Sequence, residues 1–183
     1  MVMIMKIVQA PEPVLSAKAK PIDKIDKSVT QLIEDMKETL VNTTDPEGVG
    51  LAAPQVGKSV QIFVIKPSKD APFSVFINPE IEIIGQPKSI DMEKKHSRLE
   101  GCLSLKDVWG TVKRAPKVKV KFLDEHGTSR SRTFDGFFAV IVQHEFDHLQ
   151  GFLFPKRTLE QSGKLYKSHK NEKGEDVFDP IEL

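Results

Sequence analysis

His144, Glu145 and His148 stand in the run His144-Glu145-Phe146-Asp147-His148, an H-E-x-x-H pattern. On a helix, residues four apart share a face, so two imidazoles at this spacing can grip one ion. The glutamate between them projects beside that ion, where a carboxylate takes a proton from water and returns it to a leaving amine. Ordinary polar residues on a helix are the competing reading. Against it, the run Phe137–Leu149 is nearly continuous in apolar residues up to its charged end, and a helix of that composition is buried rather than superficial. The pattern therefore predicts a metal centre.

Catalytic sites of this kind usually take three protein ligands and leave the next position to water. A metzincin-like arrangement needs histidine at position 154, where this chain has Phe154. A thermolysin-like arrangement recruits a downstream glutamate; Glu160 is the nearest candidate, and its neighbours add no supporting pattern. Cys102, in Glu100-Gly101-Cys102-Leu103-Ser104, is the alternative. A single cysteine is often an inert buried thiol. Beside two imidazoles, its thiolate completes a donor set soft enough for Fe2+, Zn2+, Ni2+ or Co2+.

These residues need elements to position them. Gly136 and Gly151 bracket the motif helix, with Gly151 as its C-terminal cap. Upstream, Pro11, Pro13 and Pro21 make residues 9–27 an irregular lead-in. A helix follows, with Ser28 and Gln31 as a capping box, an apolar face of Val29, Leu32, Ile33, Met36 and Leu40, and an end before Pro46. The runs Ile62–Ile65, Val75–Ile77 and Ile81–Ile84 read as strands. Val118, Val120 and Phe122 alternate with Lys117, Lys119 and Lys121, the mark of a strand with one wet face, and Asp124–Gly127 reads as a turn. From Thr158 onward the apolar pattern weakens, which predicts a short helix and then a mobile polar tail.

The chain of 183 residues fits one catalytic domain, 1–183, with a core over about 1–157 and a weaker C-terminal part over 158–183. With 27 basic and 26 acidic residues, the charge balance of +1 offers nothing toward nucleic acid or an anionic membrane. One cysteine excludes an internal disulfide and suits a reducing compartment. The expected location is the cytoplasm; a mature organellar form is compatible with the same features. No apolar run approaches the roughly 18–20 residues of a membrane span.

Three segments carry a resemblance: Gly48-Val49-Gly50-Leu51-Ala52-Ala53-Pro54-Gln55, Glu100-Gly101-Cys102-Leu103-Ser104 and Gln143-His144-Glu145-Phe146-Asp147-His148. Together and in this order the chain resembles the peptide deformylases, over most of residues 6–155. The resemblance implies an α+β fold, with short antiparallel strands around a central helix that bears the H-E-x-x-H motif. It implies a hydrolase that removes the formyl group from the N-terminal formylmethionine of nascent polypeptides, and with it a transient contact with the ribosome. It further implies that Cys102, His144 and His148 hold one divalent ion, Fe2+ foremost, with Glu145 as general acid and base.

Carried over further, the resemblance assigns an oxyanion contact to the Gln55 amide and the backbone N–H of Leu103. Val49, Gly50 and Gly101 become substrate contacts, with Gly48 and Gly50 letting an extended peptide approach the backbone; a tight turn is the competing reading. Phe137, Val140 and Ile141 are candidates for the methionine pocket, or else plain core. Glu100 and Arg114 become an ion pair fixing the cysteine loop, against a solvated surface charge for Arg114. Lys106 stands where the family commonly has proline, and Trp109 near where many relatives have a basic residue that touches the substrate. Two other readings stay open from the residues: a zincin-like endopeptidase, and a catalytically silent homologue in which the metal serves stability.

Overall fold

Residues 2–44, 47–87 and 99–182 are described by the structure, a computed structural model. The apolar run around the motif forms α2 (Gly136–Leu149), and it stops where Gly151 adopts φ 76°. That left-handed turn lets the Gly151 and Phe152 N–H groups return to the carbonyls of His148 and Asp147. The earlier helix, α1 (Lys27–Val41), begins sooner than a Ser28 capping box would have it. Its cap is Asp26, whose carboxylate accepts from the N–H groups of Ser28 and Val29 at 2.8 and 3.1 Å and from the Ser28 hydroxyl. An ionised carboxylate two residues upstream is the better acceptor for those amides, so Ser28 lies inside the helix. Pro46, the expected limit of α1, lies outside the described residues.

Nine strands form two antiparallel sheets among the described residues. The larger takes the order β1-β2-β3-β6-β7, from Gly50–Ala52, Ile62–Ile65, Ser74–Ile84, Lys117–Leu123 and Ser129–Asp135. Period-two alternation divides β2 between two helices. Phe63 and Ile65 join Ala139, Ile141, Val142 and Leu149 of α2, while Ile62 and Val64 join Val29, Ile33, Met36 and Leu40 of α1. The expected strands at 75–77 and 81–84 are one strand, β3, whose register shifts between Ile77 and Glu80. There Asn78, at φ 49°, pins the lead-in by accepting from the Ile22 N–H and donating to its carbonyl. On β6, Val118, Val120 and Phe122 face the core and the three lysines face out, as the alternation predicts.

The smaller sheet has the order β4-β5-β8-β9, from Glu100–Cys102, Leu105–Gly110, Leu165–Lys170 and Asp176–Pro180. Here the expected C-terminal tail is corrected. The short helix, α3, already spans Phe154–Glu160, and beyond it the polar segment forms the β8–β9 hairpin, paired to β5 at Val108, Trp109 and Gly110. Both faces of this hairpin are largely wet, so it lacks the alternation by which a half-buried strand is recognised. Among the described residues no helix is long and apolar enough to cross a membrane.

Candidate metal and active site

Each half of the fold delivers part of one cluster. α2 sets His144 and His148 on the same face, and β4 ends in Cys102, so that one donor atom from each lies within 4.8 Å of the others. Among the described residues this is the one Cys/His/Asp/Glu group able to hold a metal ion, and Glu160 is not in it. Cys102 Sγ sits 3.3 Å from His148 Nε2. His144 turns Nδ1 to the Glu100 carboxylate at 3.0 Å, which leaves its Nε2 to face the cluster. Burial pushes His148 well below the ordinary imidazole range, so it stays neutral, the form that donates to a cation. Two imidazole nitrogens and a thiol fit a divalent transition ion.

A buried chain of charge holds the two halves together. Arg114 donates from Nε and Nη2 to the two Glu100 oxygens at 2.8 and 2.9 Å, and from Nη1 to Asp147 Oδ2 at 2.6 Å. Arg157 closes the other side of Asp147 at 2.8 and 3.2 Å. Burial alone would raise the Glu100 carboxyl, but the Arg114 guanidinium more than offsets it and brings it down to about 2. Glu100 is therefore ionised, and it anchors His144 as well as the cysteine strand. Arg114 is 7% exposed, which rules out the solvated surface charge.

Glu145 is 3% exposed, and burial pushes its carboxyl up to about 7, within reach of proton exchange near neutral pH. A Cβ at Gly50 would stand 2.3 Å from Glu145 Oε1, so glycine there is what makes room for the carboxylate. The other oxygen, Oε2, is buried without a hydrogen-bond partner among the described residues. Gln55 has its amide oriented by the backbone: Oε1 accepts from the Ala52 N–H at 2.9 Å. Its NH2 group is thereby turned to Cys102 Sγ at 3.5 Å and Ser104 Oγ at 3.3 Å.

A cleft opens on this cluster. Val49, Gly50, Gly101, Phe137, Val140 and Ile141, the substrate contacts expected from the sequence, all line it, and so do Gly48, Gln55, Leu103, His144 and Glu145. Phe137 is 38% exposed, so it is not a fully buried core residue. Two contributors escaped sequence reading: Asp147 occupies a variable position of the motif, and Arg157 follows it on α3. Trp109, noted in the sequence only as a departure from the family, lines the cleft from β5. Asp147 is i+3 from His144 on a helix already known to be buried, and an acid there needs a cation; that was the available signal.

Known proteins place the chain. Residues 4–164 match the polypeptide deformylase family. A peptide deformylase of Pseudothermotoga lettingae is 41% identical over 152 residues, 83% of this chain and 81% of that protein. The crystal structure of the Thermotoga maritima peptide deformylase superposes with a TM-score of 0.74 at 36% identity, covering 84% of this chain and 97% of that one. A class I type b peptide deformylase of Acinetobacter baumannii, solved with Met-Ala-Ser bound, gives 0.73 at 36% identity, covering 86% and 99%. The match extends through the glycine-rich segment, the cysteine strand and the motif helix alike, and on that ground the chain belongs to the polypeptide deformylase family.

Proposed function

We propose that this chain hydrolyses the formyl group from N-terminal formylmethionine, with Cys102, His144 and His148 holding one Fe2+ ion in the working enzyme. The observation that carries the reading is the convergence of Cys102, His144 and His148 beside a buried Glu145, at the end of a cleft with an apolar floor. Cys102, His144 and His148 would hold a divalent ion, which would supply Lewis-acid chemistry that makes an attacking water easier to deprotonate near neutral pH. Glu145 takes the proton of the attacking water as its oxygen adds to the formyl carbon. As the C–N bond breaks, Glu145 returns a proton to the amine, and formate and a free N-terminus result. The Gln55 amide and the Leu103 N–H donate to the oxygen on which negative charge develops, and one such donor contributes roughly 3 kcal/mol.

Val49, Phe137, Val140 and Ile141 receive the methionine side chain, while Gly50 and Gly101 leave the backbone open to an extended chain. The Acinetobacter relative with Met-Ala-Ser in its structure supports a peptide N-terminus in this cleft. A single catalytic domain, a cytoplasmic location and a transient ribosome contact complete the reading. Formyl-Met-Ala offered to the metal-loaded protein should yield formate and Met-Ala. Cleavage of internal peptide bonds without formate would point to an endopeptidase, and no turnover at all to a silent homologue. Metal analysis of anaerobically purified protein tests Fe2+ against Zn2+, Ni2+ and Co2+, which the same donors accept. Co-sedimentation with ribosomes tests the contact.

A further inference from the structure

Trp109 takes no part in the chemistry just described, yet several contacts hold its ring over the cleft. On β5 it lies opposite Gly101 of β4 on one side and Tyr166 of β8 on the other. A Cβ at Gly101 would come within 2.7 to 3.0 Å of three indole carbons, so the ring fills the space that a side chain at 101 would take. From behind, the C-terminal hairpin fixes it. The indole Nε1–H donates to Ser168 Oγ at 3.0 Å, and Phe178 meets the ring edge-on at a centroid distance of 5.6 Å. The cleft is lined by this indole together with Gly101.

β4 is the outer strand of its sheet, so one edge of it carries no partner strand among the described residues. A chain laid along such an edge places its side chains beside those of β4, and facing pairs sit about 4.5–5.5 Å apart. At Gly101 there is no side chain to meet, and the Trp109 ring extends across in its place. Successive side chains of an extended chain point to opposite sides. If the first is received by the floor on α2, the next turns away from the floor toward the wall where the indole stands.

We propose that Trp109 determines specificity: its indole, braced by Ser168 and Phe178, is an apolar shelf that selects an aromatic or large aliphatic side chain immediately after the formylmethionine. The shelf rests on the deformylase reading for its substrate. Trp109 is the single tryptophan of the chain, so its emission reports the contact without interference.

Formyl-Met-Phe-Ala and formyl-Met-Gly-Ala are compared as substrates, and deformylated Met-Phe-Ala and Met-Gly-Ala are titrated while Trp109 emission is followed. The expected result is a kcat/KM higher for the phenylalanine peptide by about 2- to 12-fold, the range of one aromatic pair. Emission should respond at correspondingly lower concentrations of Met-Phe-Ala. Trp109→Ala should abolish the preference; Phe178→Ala, which loosens the ring without removing it, should reduce it. Equal constants for the two peptides, a preference unmoved by both substitutions, or an emission that responds to neither peptide overturns the shelf. Formate from neither substrate would instead defeat the deformylase reading, and the emission titration would still decide for or against the shelf.

Discussion

In the five-stranded sheet every residue of β2 is buried, with α1 covering one face and α2 the other. The four-stranded sheet has a far smaller apolar cluster, Cys102, Val112, Phe154 and Leu165, and its tie to α2 is the Glu100–Arg114–Asp147 chain of charge. One region is held by apolar burial and the other by ion pairs, and the metal cluster draws on both. The imidazoles and Glu145 come from the region whose packing fixes them regardless of the site. The thiol comes from an edge strand whose place depends on one guanidinium. A division of this kind predicts that changes on the two sides separate stability from function differently.

The largest effect is expected on the helix side. Glu145→Gln should lower kcat for formyl-Met-Ala by about 10²–10⁴-fold, the range of a general acid–base group, while metal content and thermal unfolding stay near wild type. Its fold is fixed by neighbours in the core, so the chemistry can be removed without loosening the structure. Turnover at the wild-type rate, or an apoprotein on purification, would break the assignment of Glu145 to proton transfer.

Next come two substitutions of similar cost, one per region. Arg114→Met leaves the Glu100 and Asp147 carboxylates buried without their shared cation, and breaking such a pair costs about 3–5 kcal/mol. Phe76→Ala empties a fully buried ring position in the five-stranded sheet, also at about 3–5 kcal/mol. Urea unfolding should rank them together. Metal titration of the folded proteins should separate them, because losing a partner that orients ligands weakens metal binding about 10- to 100-fold, and Phe76 orients none. Equal metal affinities for the two variants would dissolve the comparison.

The same contrast governs what could be read in advance. The burial-held region announces itself locally: β-branched runs at 62–65 and 75–77, alternation at 117–122 and an apolar helix between two glycines all mark elements that form. The ion-held region does not. β4 and β9 span three and five residues, and β5, β8 and β9 expose much of both faces, so no periodicity marks them. Its ties link residues far apart in the chain, as from Arg114 to Asp147, and a local pattern carries no trace of them. The residues of the candidate site that sit in motifs were the ones singled out from sequence: Cys102, His144, His148, Glu145 and Gln55 lie together around one cluster and cleft. Trp109 was legible only as a departure, since its contact with the cleft depends on an absent side chain at Gly101 and a brace from a hairpin read as tail.

Chelation sharpens the comparison further. An ion present at about 100 to 1,000 times its Kd stabilises the folded state by roughly 2.7–4.1 kcal/mol, and its removal should lower unfolding stability by that amount. Hydrogen exchange would show where. Amides of Glu100–Cys102 and Leu105–Gly110 should lose protection first, because an ion held by Cys102, His144 and His148 would add a second link between β4 and α2 beside the Arg114 ion pairs, whereas those of Ile62–Ile65 should follow the global loss alone. Uniform acceleration across both sheets would mean that the cysteine strand is as firmly seated as the core.

The smallest expected effects give the finest test, because each region holds one aromatic pair near its margin. Phe134 stacks on Phe138 at 4.8 Å and 10°, and Trp109 meets Phe178 edge-on at 5.6 Å and 89°. Such pairs contribute about 0.5–1.5 kcal/mol beyond their buried area. Phe134→Ala and Phe178→Ala should therefore both cost little in thermal unfolding, with Phe134→Ala the larger of the two because it also packs against the main core while Phe178 is 39% exposed. On the substrate side the order should reverse. Phe134 borders a core that holds its shape when one ring is trimmed, and the choice between formyl-Met-Phe-Ala and formyl-Met-Gly-Ala should not change. Phe178 braces a residue of the cleft wall, so the same choice should weaken when it is trimmed. A selectivity that tracks stability through both variants would show that the two regions respond as one body, and that the hairpin acts on the cleft through the fold at large rather than through Trp109.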